Sequence, residues 1–69
     1  MPKPAPVTKL TLQERRILRL VRKGCRNREI AGNLSLKVGT VEVRLQRISQ
    51  KLDARDRLEL AMKADRIDS

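Results

Sequence analysis

The sequence predicts an all-α fold, a bundle of four short helices, and three observations carry that prediction. Apolar residues recur at helical spacing in four separate segments, two of those segments open on capping-box tetrads, and no internal repeat or strand pattern competes with them. The chain has 69 residues, enough for one small domain; two domains would each fall below the size at which a core sustains itself. A domain this small removes only about 60% of its unfolded surface from water and needs further support. One Cys and no His rule out a disulfide within the monomer and a four-ligand zinc site, which leaves self-association. No metal and no cofactor is expected.

Residues 1–9 hold all three prolines without periodicity and read as a linker or flexible arm, so the domain proper is 10–69. Helix one opens on Thr11-Leu12-Gln13-Glu14, where hydroxyl and carboxylate satisfy each other's backbone donors. Leu10 is placed to staple onto the aliphatic stem of Arg15 or to pack beneath it. Ile17, Leu18 and Val21 form one apolar stripe with Leu20 beside it, and Gly24 supplies a left-handed stop. Arg15, Arg16, Arg19, Arg22 and Lys23 line the other sides as a solvated face. Cys25 is expected to fill a small, half-buried hole.

Helix two is short. Asn27 is its expected N-cap, Glu29 suits the first turn, Ile30, Ala31 and Leu34 are its buried edge, and Asn33-Leu34-Ser35-Leu36 makes the turn. Helix three, 37–52, is the most regular: Val41, Leu45, Ile48 and Leu52 form a single stripe over three turns. At about 100° per residue the opposite face carries Gly39, Val43, Gln46 and Gln50, flanked by Glu42 and Arg47, with Arg44 and Lys51 at the margin. Asp56-Arg57-Leu58-Glu59 is a second capping box and opens helix four, 56–67. Leu58, Leu60, Ala61, Met62, Ala64 and Ile67 cover more than half its circumference, more than one core needs. A dimer interface is expected there, on Leu58, Ala61, Met62 and Asp65.

Charge narrows the partner. Seventeen Lys and Arg against eight Asp and Glu give a formal net charge of +9, which points to a polyanion, nucleic acid or an acidic membrane surface. The excess is uneven: residues 1–52 hold thirteen basic and three acidic side chains, residues 53–69 four and five. The first three quarters therefore face the polyanion, and the tail does something else. No apolar run approaches the ~18 residues of a membrane span and no signal-peptide core is present, so a soluble cytoplasmic protein is expected. Without His the commonest general base is missing, and no enzyme is predicted. Without Phe, Trp or Tyr there is no platform for stacking single-stranded bases.

Two helices joined by a tight turn, the second with a contact-ready outer face, make a helix-turn-helix suited to a duplex major groove about 12 Å wide. The sequence resembles the LuxR/GerE-type DNA-binding domain of bacterial transcription regulators. The residues that carry the likeness are Leu10-Thr11 with Glu14, Gly24 followed by Asn27-Arg28-Glu29-Ile30-Ala31, Thr40-Val41, and Lys51-Leu52 with Arg57 and Leu60-Ala61. In order they are similar to that family's "LT..E", "G..N.EIA", "TV" and "KL....R..LA" segments. The likeness implies a four-helix domain that dimerises through its last helix, reads bases with Glu42, Val43 and Gln46, and contacts phosphates near Asn27, Arg28, Thr40 and Arg47. It implies double-stranded DNA as partner, a homodimer on it, and a receiver or sensor domain and RNA polymerase as further partners.

Four positions depart from the family's habit: Lys37 stands where Ser or Thr usually caps helix three, Glu42 and Gln46 where Lys is frequent, and Arg44 where His is common. Glu42 can accept from a cytosine amine and Gln46 can pair with adenine. Two other readings stand beside the regulator. One is a protein-interaction module on the same fold, docking on a receiver domain or RNA polymerase; the other is a cationic amphipathic chain on a membrane surface.

Overall fold

The computed structural model describes residues 10–68, with side chains through Arg66. The arm expected at 1–9 and the side chain of Ile67 lie outside the described residues. Those described form α1 (Leu12–Arg22), α2 (Asn27–Leu34), α3 (Val38–Leu52) and α4 (Arg57–Asp68), with no strand among them, which is the all-α helix-turn-helix bundle predicted.

The first capping box forms as the sequence spells it. Thr11 Oγ1 accepts from the Glu14 amide at 3.1 Å, and Glu14 Oε1 accepts from the Thr11 amide at 2.9 Å. The starts of α2 and α4 differ from expectation, and that of α3 lacks a side-chain cap as Lys37 implies. Asn27 is the first helical residue of α2, not its cap; Arg26 takes the N-cap position, where its amide donates to Glu29 Oε1 at 2.8 Å. An arginine has no acceptor to return, so only half a capping box exists there. At α3, Lys37 is the N-cap and gives no side-chain bond to the first turn. At α4, Asp56 Oδ1 caps the Glu59 amide at 2.9 Å, but Glu59 Oε1 reaches past Asp56 to the Arg55 amide at 2.6 Å. The box is therefore shifted by one residue, because a carboxylate takes whichever backbone donor its rotamer meets first.

Helix ends follow one pattern. Gly24, at φ 88°, lets its amide bond Val21 O at 2.9 Å and that of Cys25 bond Leu20 O at 3.0 Å, the paired bonds of a Schellman stop. Ser35 and Asp53 take the left-handed conformation at the ends of α2 and α3 without being glycine, at φ 57° and 55°. Lys63 steadies the second of these, donating from Nζ to Leu52 O at 2.7 Å and Asp53 O at 2.9 Å.

α4 packs chiefly against α1, and α2 chiefly against α3. Their apolar stripes meet in one core, in which Ile17, Ile30, Val41 and Ile48 are fully enclosed. Each enclosed aliphatic side chain of this kind contributes about 1.5–3 kcal/mol. Leu10 is buried in that core, so it packs beneath α1. Of the broad apolar surface expected on α4, Leu60 and Ala64 are buried and Ala61 is half-buried, whereas Leu58 and Met62 stay 72% and 60% exposed. Cys25 is half-buried against the core.

Candidate nucleic-acid interface

α3 has its apolar stripe locked inward by Val41, Leu45, Ile48 and Leu52, so helical geometry forces the residues between them outward. Val43 is 52% exposed, and Glu42, Gln46, Arg47 and Gln50 are exposed beside it. No other element of the described structure covers this ridge. Thr40, Val43 and Arg47 come together with Lys37, Gly39 and Arg44 around one open depression along α3. Glu42 and Gln46 lie on the adjoining outer face, about 100° further round for Gln46 than for Arg47.

A half-buried ion pair ties α3 to α1. Glu14 is 4% exposed, and its Oε1 and Oε2 accept from Lys51 Nζ at 2.8 and 3.1 Å. Burial by itself raises the Glu14 carboxyl, but the Lys51 bond, the Thr11 amide and the positive charges of Lys51 and Arg44 outweigh it and hold the group below its ordinary value. The first turn of α1 is thus tied to the last turn of α3 by a charge that stays ionised at neutral pH. Sequence reading had Glu14 only as a capping residue and Lys51 only as a marginal one. The signal available was the pairing of one acid on α1 with a base near the end of α3, and it needs the fold to be seen.

Arg57 is the second residue whose role the sequence left unassigned. From the start of α4 its Nη2 donates to Cys25 O at 2.6 Å and its Nη1 to Asn27 Oδ1 at 2.8 Å. This clasp fixes the turn ahead of α2. The same bond fixes the Asn27 amide with its oxygen turned to Arg57. Arg28 is exposed in the first turn of α2. The structure therefore brings Thr40, Val43 and Arg47 together, and places Asn27 in a different cluster, against Arg57.

On α4, Leu58, Ala61, Met62 and Asp65 share one face at i, i+3, i+4 and i+7. Leu58 and Met62 have no cover among the described residues. Asp65 Oδ1 pairs with Arg22 Nη1 at 3.2 Å across to α1, an exposed bridge worth about 0–1 kcal/mol. No described helix is long and apolar enough to cross a membrane.

A four-helix bundle with one helix presented as an uncovered polar ridge, flanked by arginines, defines a helix-turn-helix DNA-binding domain. Residues 8–64 match the family described as "Bacterial regulatory proteins, luxR family", and the chain belongs to that family of non-enzymatic DNA-binding domains. Over 60 residues it is 40% identical to the tetrathionate response regulatory protein TtrR of Salmonella typhimurium, a match covering 87% of this chain and 29% of that protein. The chain thus spans less than a third of that relative's length. No solved structure matches.

Proposed function

We propose that this domain reads a specific double-stranded DNA sequence as a dimer, setting α3 of each subunit into a major groove, and so directs transcription. The observation that carries the reading is the outward ridge of α3, where an exposed Val43 and Gln46 stand between a buried stripe on one side and arginines on the other. Val43 is suited to a thymine methyl, Gln46 to the N6/N7 edge of adenine, and Glu42 to a cytosine N4 amine. Arg28, Arg47, Thr40 and the amide of Asn27 hold the backbone and fix the register without reading sequence. α4 joins two subunits through Leu58, Ala61 and Met62, with Asp65 at the edge, so that α3 ridges address half-sites about 34 Å apart. Linking two weak contacts in this way makes dimerisation the natural control point.

The relative's printed name, a response regulatory protein, and the 29% of its length that is matched support a receiver domain as the source of that control. RNA polymerase is the further partner of such a regulator, and the cytoplasm its place. Selection of bound sequences from random duplex DNA tests the proposal. The expected result is a motif with two-fold symmetry whose positions change preference in Val43→Ala and Gln46→Ala. Binding without sequence preference at any salt concentration overturns it.

A second reading has one observation in its favour. Glu42 puts an exposed carboxylate on the reading face, which repels phosphate and suits a protein partner. Charge reversal at Arg28 and Arg47 separates the two, since a DNA reader loses binding to all duplexes whereas a docking module keeps its partner.

A further inference from the structure

Beside its core stripe, α1 carries a second one that the core does not use. Leu12, Arg16, Arg19 and Lys23 stand at i, i+4, i+7 and i+11, the spacing at which Val41, Leu45, Ile48 and Leu52 of α3 fill the core, yet all four are exposed. At about 100° per residue they lie roughly 140–180° round α1 from Glu14, the residue that meets Lys51 on α3. The stripe therefore looks away from α3 and its ridge. Packed helix axes lie about 8–10 Å apart and side chains add about 5 Å on each side, so ~20 Å separates the two outer faces. Exposed charges are screened within about 8 Å at physiological salt, and a duplex seated on α3 leaves these cations unengaged.

A merely solvated face does not account for the pattern. Arg15 with Arg19, Arg16 with Arg19, and Arg19 with both Arg22 and Lys23 are like charges at i+3 or i+4, where they repel and weaken a helix. The one acid of α1, Glu14, is buried and turned to Lys51, so no exposed carboxylate on the helix offsets them. The helix dipole favours Arg22 and Lys23 at the C-terminal end but gives nothing to Arg15 and Arg16. Leu12, 64% exposed at the head of the stripe, gains nothing from water. An apolar side chain followed by arginines, with lysine in the minority, is the make-up of a protein contact, in which Arg is enriched and Lys depleted. A phosphate backbone offers Leu12 no partner.

We infer that the outer face of α1 docks a protein surface that presents carboxylates around an apolar contact, with Leu12 as the anchor and Arg16, Arg19 and Lys23 as the ion-pair partners. The stripe is only about 17 Å long, well short of the ~800 Å² that each side of a standard interface buries. Docking on α1 is therefore weak by itself and takes effect when the partner is already held nearby. In this arrangement α3 holds DNA and α1 holds an acidic protein at the same time, on faces turned away from each other. DNA reading by α3 and docking on α1 are independent.

The probe is a synthetic helical peptide of Glu and Leu at heptad spacing, added to the isotopically labelled full chain saturated with duplex DNA, with amide shifts followed by NMR. The expected shifts fall on Leu12, Arg16, Arg19 and Lys23, while the amides of α3 keep their DNA-bound positions. Leu12→Ser, and separately Arg16→Gln with Arg19→Gln and Lys23→Gln, should each weaken the peptide about tenfold, the worth of one apolar contact or of three exposed ion pairs. All four positions are exposed, so circular dichroism should show a native fold, and at physiological salt duplex affinity should stay within about twofold of native. Shifts confined to α3, or equal binding of a peptide with Ala in place of Leu, overturn the inference. So does excess duplex that moves the α1 amides as strongly as the peptide, which assigns the face to a second DNA segment. If the native chain binds no duplex, DNA reading falls, and the same titration on the free chain and its variants still decides docking on α1.

Discussion

Replacing Glu14 with Gln isolates the electrostatic tie between α1 and α3. The amide keeps the shape and leaves one oxygen to accept from the Thr11 amide, so the helix cap survives. Lost are the ionic bonds from Lys51 Nζ at 2.8 and 3.1 Å. A hydrogen bond to a charged partner contributes about 1.5–3 kcal/mol against about 0.5–1.5 for a neutral one, which sets the loss at about 1–2 kcal/mol. In a domain of this size each kcal/mol moves Tm by about 4–8 °C, so Glu14→Gln should melt roughly 5–15 °C below native at pH 7 while remaining folded.

The pH dependence of that gap has a fixed sign. The folded-state pKa of Glu14 lies below its ordinary value of 4.5, so its contribution is complete above that value and is lost as pH falls through the folded pKa. The gap in Tm between native and Glu14→Gln should therefore be widest near neutrality, narrow below pH 4.5 and close in stronger acid. Calorimetry on both proteins from pH 7 downward measures it. Equal melting at pH 7, or a gap of the same size in acid, would refute the claim that an ionised buried carboxylate holds these helices together.

Two other outcomes are expected. Arg57→Ala removes the bonds to Cys25 O and Asn27 Oδ1 and should lower the urea midpoint by the equivalent of about 1–2 kcal/mol with the slope unchanged, as measured by circular dichroism. Leu58→Ser with Met62→Ser changes side chains that are 72% and 60% exposed, so each should alter monomer stability by only about 0.5 kcal/mol. On the dimer proposal, sedimentation should find the native chain self-associating and the doubly substituted chain monomeric at the same concentration; equal behaviour of the two would remove α4 from the proposed interface.

Much of the fold is legible in the sequence because the relevant signals are local or periodic. The Thr11–Glu14 box, the stop at Gly24 and the four-position stripe of α3 each depend on residues within a few turns, and each appears where it is expected. The same periodicity assigns the outward positions of α3, since fixing Val41, Leu45, Ile48 and Leu52 inside leaves Val43 and Gln46 no other direction. What escaped was the detail of helix ends. Arg26 in place of Asn27 as the cap of α2, and Glu59 bonding Arg55 in place of Asp56, are choices among neighbouring donors that differ by about 1 kcal/mol, within the reach of packing to decide.

The sequence by itself determined that there would be four helices, which face of each would be apolar, and where the positive charge would lie. These follow from spacing and composition, which act along the chain. Only the tertiary structure decided which charges meet: Glu14 with Lys51 across 37 positions, Arg57 with Asn27 across 30, and Arg22 with Asp65 across 43. It also divided α4 into Leu60 and Ala64 inside and Leu58 and Met62 outside, and left Arg44 with an enclosed, unmet donor at the edge of α3. Pairing of this kind depends on the angles at which helices cross, and those are set by the joint packing of all four stripes, which no single segment of the chain encodes.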